Sequence, residues 1–161
     1  TMVMLRNPKV ACLSLVALSN EIAERDASEV KLSRAKQSLM ENLRSYKTFY
    51  GKVLQVKDGI IVAEFTLVTS DFGEIVRRMN KRFGTAFELY ENSEQNDSTL
   101  FKKGGFHLSP NQQRDSIKDS LRQCFNSDDV ESLVNDAMAV YEDMLQLERQ
   151  QGKDYGSSSN D

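Results

Sequence analysis

Residues 52–68 read KVLQVKDGIIVAEFTLV, and this stretch decides the fold that the sequence predicts. It contains two β-rich runs, 52–56 and 60–68, separated by the pair Asp58-Gly59 and the lysine before it. An Asp-Gly pair between apolar runs favours a tight hairpin, because glycine readily adopts the positive φ of a type I′ turn. The sequence therefore predicts two antiparallel strands joined by this turn.

A helix and a third strand are predicted directly after the hairpin. Asp71 followed by Glu74 has the spacing of a capping box, which begins a helix. Gly84 is suited to end that helix, because helices commonly finish on a glycine with positive φ. Residues 85–90 are again rich in strand formers. Residues 52–90 are therefore expected to form a β-β-α-β unit with a small, mostly antiparallel sheet.

Long helices are predicted on both sides of this unit, at 8–50 and 109–150. Pro8 suits the first position of a helix that Asn7 caps. A second N-terminal helix is expected to begin with a capping box at 26–29 and to end at Gly51. The predicted fold class is therefore α+β, with the small sheet packed against long N- and C-terminal helices.

The first predicted helix is unusual because its early turns are apolar on all sides. These residues are Val10, Ala11, Cys12, Leu13, Leu15, Val16 and Leu18. A helix of this kind is either central to a core or covered by another chain.

One domain is expected over residues 1–150, since 161 residues correspond to one ordinary domain. Residues 91–108 are polar and contain glycines, which favours a mobile loop, although a short hairpin within 99–108 fits the sequence as well. Residues 151–161 are rich in Gly, Ser and Asp, which predicts a disordered tail.

Composition favours an intracellular chain without a membrane span, in the cytoplasm or the nucleus. No apolar run approaches the roughly 20 residues of a transmembrane helix. The two cysteines, Cys12 and Cys124, cannot build a disulfide framework or a structural zinc site.

Charge is distributed unevenly along the sequence: residues 1–50 carry eight Lys and Arg against five Asp and Glu, whereas 109–161 carry five against eleven. The two halves can therefore attract each other within one fold or between subunits.

Few residues suggest chemistry. Asp71-Phe72-Gly73 matches the magnesium-binding triplet of protein kinases, but the other kinase motifs are absent and a helix cap explains the triplet. His107 is the only histidine and has no supporting motif around it. No catalytic residue, cofactor or metal site is predicted, and the chain is expected not to be an enzyme.

The predicted helix from Asp128 to about Gln150 carries two adjacent apolar rows. The first row has heptad spacing and consists of Val130, Leu133, Ala137, Val140, Met144 and Leu147. The second row consists of Val134, Met138, Tyr141 and Leu145. Together they are wider than a two-stranded coiled coil needs, so the first row is predicted to bind a partner. The leading hypothesis is a regulatory or scaffolding module that binds itself or another protein through apolar helix faces.

A basic flank on the predicted 71–83 helix supports an alternative hypothesis. It consists of Arg77, Arg78, Lys81 and Arg82. Four neighbouring cations repel one another, so an anionic counterpart is favoured. That counterpart is the phosphates of a nucleic acid, a phosphoprotein, or the acidic surface of the C-terminal helices at 109–161. An RNA-binding regulatory protein is therefore the alternative function.

Overall fold

The computed structural model describes residues 1–23, 32–89 and 112–155, and these are predominantly helical. The helices are α1 (Pro8–Ala23), α2 (Leu32–Gln55), α3 (Phe65–Ser70), α4 (Phe72–Phe83), α5 (Gln112–Arg122) and α6 (Asp128–Tyr155). Two short strands are present, β1 (Met2–Leu5) and β2 (Ile61–Glu64), with 3₁₀ turns at Lys57–Gly59 and Gln123–Asn126. The broad prediction of an α+β fold is confirmed.

The chain forms two compact units. The first contains Thr1–Arg6 and, among the described residues, 53–89 and 142–155. The second contains Asn7–Lys52 and, among the described residues, 112–141. The assignment of 1–150 to one domain stays a prediction.

The sheet of the first unit is parallel, so the prediction of an antiparallel sheet was wrong. β1 pairs with β2 in a register that places Met2 opposite Ile61 and Leu5 opposite Glu64. The residues Ile61, Val62 and Ala63 are fully buried, so both faces of β2 are covered. Burial on both faces is typical of parallel strands.

The predicted strand at 52–56 was wrong because a helical apolar pattern continues through it. Tyr46 and Val53 are both buried on α2, which runs past Gly51 and ends at Gln55. The segment Lys57–Gly59 forms a 3₁₀ turn in place of the predicted type I′ turn. Among the described residues only Gly84 has a positive φ, so Gly59 does not adopt the conformation that a hairpin would need.

The predicted strand at 60–68 is only partly formed. β2 ends at Glu64, opposite the last residue of β1, and α3 begins at Phe65. β1 can extend no further because Asn7 and Pro8 begin α1. The carbonyl of Asn7 accepts from the N–H of Ala11, and its side chain accepts from Lys9, so the predicted cap is confirmed. Without a further partner, the end of the β-rich run becomes helical.

Helix α4 matches its prediction at both ends. The Asp71 side chain accepts a hydrogen bond of 2.9 Å from the N–H of Glu74. Gly84 ends the helix with φ of 63°. The strand predicted at 85–90 was wrong, since 85–89 form no regular element and Tyr90 lies outside the described residues. Both the N–H and the C=O of Phe87 bond instead to the Asn80 side chain.

Helix α6 continues to Tyr155, so residues 151–155 of the predicted disordered tail are helical. Residues 156–161, the predicted loop at 91–108 and the predicted capping box at 26–29 lie outside the described residues.

Inside the second unit, basic residues of the N-terminal half form ion pairs with acidic residues of the C-terminal half. Lys36 of α2 lies 3.0 Å from a carboxylate oxygen of Asp129 on α6. Lys47 lies 2.8 Å from Asp136 on the same two helices. The predicted attraction between the basic N-terminal and acidic C-terminal halves therefore acts within one chain.

Gln151 closes the edge of β2 that faces away from β1. Its Nε2 donates to the carbonyl of Ile60 at 3.0 Å, and its Oε1 accepts from the N–H of Val62 at 2.8 Å. These are the two hydrogen bonds that one residue of a neighbouring parallel strand would make across from Ile61. The side chain is only 4% exposed, so an amide on α6 replaces a third strand.

We expect Gln151→Leu to destabilise the protein strongly. It would leave a buried N–H and a buried C=O without partners, at a cost of about 1–3 kcal/mol for each group. The exposed neighbour Gln150 supplies the control, and Gln150→Leu should change the free energy of unfolding by no more than about 0.5 kcal/mol. Urea unfolding of both variants measures the difference. Equal unfolding midpoints for the two variants would contradict the role assigned to Gln151.

Candidate functional site

The predicted partner-binding row of α6 is largely covered by the chain itself. Val130, Ala137 and Met144 are fully buried, and the other three members, Leu133, Val140 and Leu147, are partly buried. The second row is buried too, apart from the partly buried Met138. The role of the first row in partner binding stays a prediction, but the structure leaves little of it accessible.

Arg77 and Arg78 of the basic flank are held by carboxylates. Arg77 contacts Glu74 at 2.9 Å and Asp71 at 3.4 Å, both from the start of its own helix. Arg78 contacts Glu74 at 3.0 Å and Glu148 of α6 at 2.6 Å. Arg78 therefore joins α4 to the C-terminal part of α6.

The surroundings of Arg78 stabilise the protonated form of its guanidinium. Desolvation lowers its pKa, but the hydrogen bonds and negative charges of Glu148 and Glu74 outweigh this and raise the pKa above its ordinary value. A Cβ atom at Gly152 would lie 3.1 Å from the Arg78 guanidinium, so the absence of a side chain there lets the guanidinium pack against α6.

Arg82 and Lys81 differ from the other two cations. Arg82 donates from Nη1 to the Tyr155 hydroxyl and from Nη2 to the carbonyl of Asp58, and its guanidinium carbon lies 5.1 Å from the centre of the Tyr155 ring. Lys81 is exposed. The flank is therefore not one uniform basic patch, and for Arg78 the counterpart is the acidic C-terminal helix that the sequence also allowed. RNA binding by the flank stays a prediction.

A cavity of about 190 Å³ lies next to Arg82 in the first unit. Its lining residues are Lys57, Asp58, Arg82, Leu147, Gln150, Gln151, Asp154 and Tyr155. This site is not predicted from the sequence, because Asp154 and Tyr155 fall within the segment that was expected to be a disordered tail. The spacing of Leu147, Gln151 and Tyr155, four residues apart, was the available signal that the helix continues.

The outer face of α1 is the second surface of interest. We define it as Val10, Ala11, Ser14, Leu15 and Leu18, which lie opposite the buried residues of the helix. Val10 is 47% exposed and Leu15 is 51% exposed. The other three are partly buried. No charged residue occurs from Val10 to Asn20.

The two thiols are buried and unpaired. Burial raises the pKa of the Cys12 thiol from 9.0 to about 11. Burial is also the main cause that raises the pKa of Tyr46, which lies near Cys12. His107 lies outside the described residues. Across 1–23, 32–89 and 112–155, no three His, Cys, Asp or Glu side chains are grouped to hold a metal.

No helix in the same ranges combines the length and the apolar character that a membrane crossing requires. Comparison of the chain with family models, characterised proteins and solved structures finds no match. Function therefore has to be inferred from the residues themselves.

We expect Arg78→Met to destabilise the protein by about 3 kcal/mol, because Glu74 and Glu148 would then face each other without the cation between them. The control is Arg77→Met on the same helix. The Arg77 side chain is 39% exposed against 12% for Arg78, so its loss should cost about 0–1 kcal/mol. Thermal and urea unfolding compare the two variants, and an equal cost would show that Arg78 holds no special position.

We expect Cys12 to react slowly with iodoacetamide in the native protein. The thiolate is the reactive form, and a pKa of about 11 keeps the thiol protonated at neutral pH. The native alkylation rate should therefore continue to rise up to about pH 11, whereas in the urea-unfolded chain it should level off near pH 9. Peptide mass spectrometry separates Cys12 from Cys124. A native rate equal to the unfolded rate would contradict this assignment.

Proposed function

We propose that the protein is a non-enzymatic interaction module that self-associates through the outer face of α1. The observation that carries the proposal is the exposure of Val10 and Leu15 on a helix that has no charged residue over eleven positions. Surface helices normally have a polar outer face, and an apolar one is usually covered by other protein.

The shape of this face favours another helix as its partner. Ala11 and Ser14 are small and lie between the larger Val10 and Leu15. Small residues at a contact let two helix axes approach to about 8 Å, and flanking larger side chains then pack beside the partner backbone. A second copy of α1 presents the same pattern, as a two-fold symmetric interface requires.

The proposal keeps the hypothesis of binding through an apolar helix face but moves it from α6 to α1. Each copy would bury one Leu and one Val, and burial of such a side chain contributes about 1.5–3 kcal/mol. In α6, by comparison, Val130, Ala137 and Met144 are already fully buried within the chain.

We expect Leu15→Glu to weaken self-association by about a hundredfold or more, since both copies lose an apolar contact and gain a charge. The exposed position should leave the thermal midpoint nearly unchanged. Sedimentation velocity over a concentration series measures the association. Val140→Glu is expected to unfold the protein, because that side chain is partly buried in α6.

Val56→Glu is the matched control, because Val56 is also apolar and is 59% exposed but lies in the other unit. It should leave the association unchanged. A wild-type protein that stays monomeric at its highest soluble concentration overturns self-association. Equal weakening by Val56→Glu and Leu15→Glu overturns the assignment to α1.

A further inference from the structure

The lining of the cavity beside Arg82 includes four side chains that can donate hydrogen bonds to a ligand, which are Lys57, Arg82, Gln150 and Tyr155. It lies between the turn at Lys57–Gly59, the end of α4 and the last two turns of α6, all within the first unit. We propose that this cavity binds a small oxyanion, a carboxylate or a phosphate group, held by Arg82 and Lys57.

The positive charge of Arg82 is not neutralised by the groups that hold it. Both of its acceptors, the Asp58 carbonyl and the Tyr155 hydroxyl, are neutral. Arg77 and Arg78 on the same helix, by contrast, each contact carboxylates within 3.5 Å. Among the described residues Arg82 therefore combines a fixed orientation with the lack of a directly bonded carboxylate, which suits an anion.

Arg82 also retains unused donors. A guanidinium has five N–H groups. Within the described residues Arg82 uses one on each terminal nitrogen, which leaves Nε–H and two others without an acceptor. The Tyr155 hydroxyl accepts from Arg82 and can still donate its own proton. The Lys57 side chain is exposed and makes no hydrogen bond or ion pair within the described part of the chain.

Two acidic residues of the lining oppose an anion. Asp58 and Asp154 are exposed, and within the described residues neither carboxylate forms an ion pair with Lys57 or Arg82. Exposed carboxylates are well hydrated, so their repulsion is modest. Charge-assisted hydrogen bonds from a guanidinium are stronger, and the balance therefore favours a bound oxyanion.

The size of the cavity restricts the ligand class. Pockets for drug-sized ligands are about 300–1,000 Å³ and mostly apolar. This cavity, at about 190 Å³, is smaller and is lined largely by polar and charged residues. It accommodates a single phosphate or carboxylate group with a small substituent.

The test uses the full chain and two probes, inorganic phosphate and acetate. Two-dimensional NMR at constant ionic strength should show saturable shifts of the Arg82 Nε–H signal and of the Tyr155 backbone amide. Sodium chloride in place of the probe should cause no saturable shift. Saturation by phosphate alone assigns a phosphate group to the site, and saturation by acetate alone assigns a carboxylate.

Three variants make the test specific. Lys57→Met should weaken binding about ten- to a hundredfold, and its exposed position should leave the fold unchanged. Asp154→Asn should strengthen binding about two- to fivefold, because it removes a repelling charge. Lys153→Met removes a positive charge from α6, but Lys153 does not line the cavity. This variant should therefore leave the affinity for the probes unchanged.

Any of three results would overturn the proposal. The first is the absence of a saturable response to either probe. The second is an equal loss of binding in Lys57→Met and Lys153→Met, which would show that only the overall charge of the region matters. The third is a saturable shift of the same signals by sodium chloride, which would also show that only the overall charge of the region matters.

Discussion

The parallel pairing of β1 with β2 is the constraint on which the first unit depends. Two strands of four residues each are marginal alone, so their faces and edges must be covered by other elements. Parallel strands also need a long connection, and α1 and α2 supply it in the sequence. The edge of β2 that faces away from β1 lies too deep for water and is completed by the side chain of Gln151.

The position that Gln151 must take beside β2 explains the polar contacts on the neighbouring turns of α6. Once Gln151 is held by β2, residues one turn before and after it on α6 have fixed positions. Glu148 then meets Arg78 and Tyr155 meets Arg82. The two arginines are about one turn apart on α4, and their partners Glu148 and Tyr155 are about two turns apart on α6. The contacts of Arg78 and Arg82 with α6 therefore follow from the backbone of β2, although within the described residues neither arginine forms a hydrogen bond with that strand.

Local signals in the sequence were sufficient where an element is bounded by its own side chains. Asp71 and Gly84 located both ends of α4, and Asn7 located the start of α1. The strands depend on which distant segment pairs with them, and no local signal in the sequence identifies that segment. Val53 fits a β-rich run and the apolar stripe of α2 equally well in the sequence. It is helical because the earlier part of α2 already buries the same stripe, which Val53 continues.

The same distinction applies to the candidate sites. Spacing identified four cations on one helix, but their roles depend on what α6 brings to each of them. The apolar rows of α6 were recognised correctly as apolar, yet a row that binds a partner and a row in a core have the same spacing. The unusual feature of α1, its run without charge from Val10 to Asn20, was visible in the sequence. Only the exposure of Val10 and Leu15 distinguishes a covered face from an open one.

The two proposed surfaces lie in different units and rely on different forces. The outer face of α1 offers apolar area, whose contribution to association is insensitive to moderate salt and grows with excluded, strongly hydrated salts. The cavity beside Arg82 offers charge and oriented donors, whose attraction for an anion is screened as ionic strength rises. Because no described residue belongs to both surfaces, a change in one need not alter the other. Together the two proposals predict that the chain associates through one unit while the other responds to the concentration of a small anion.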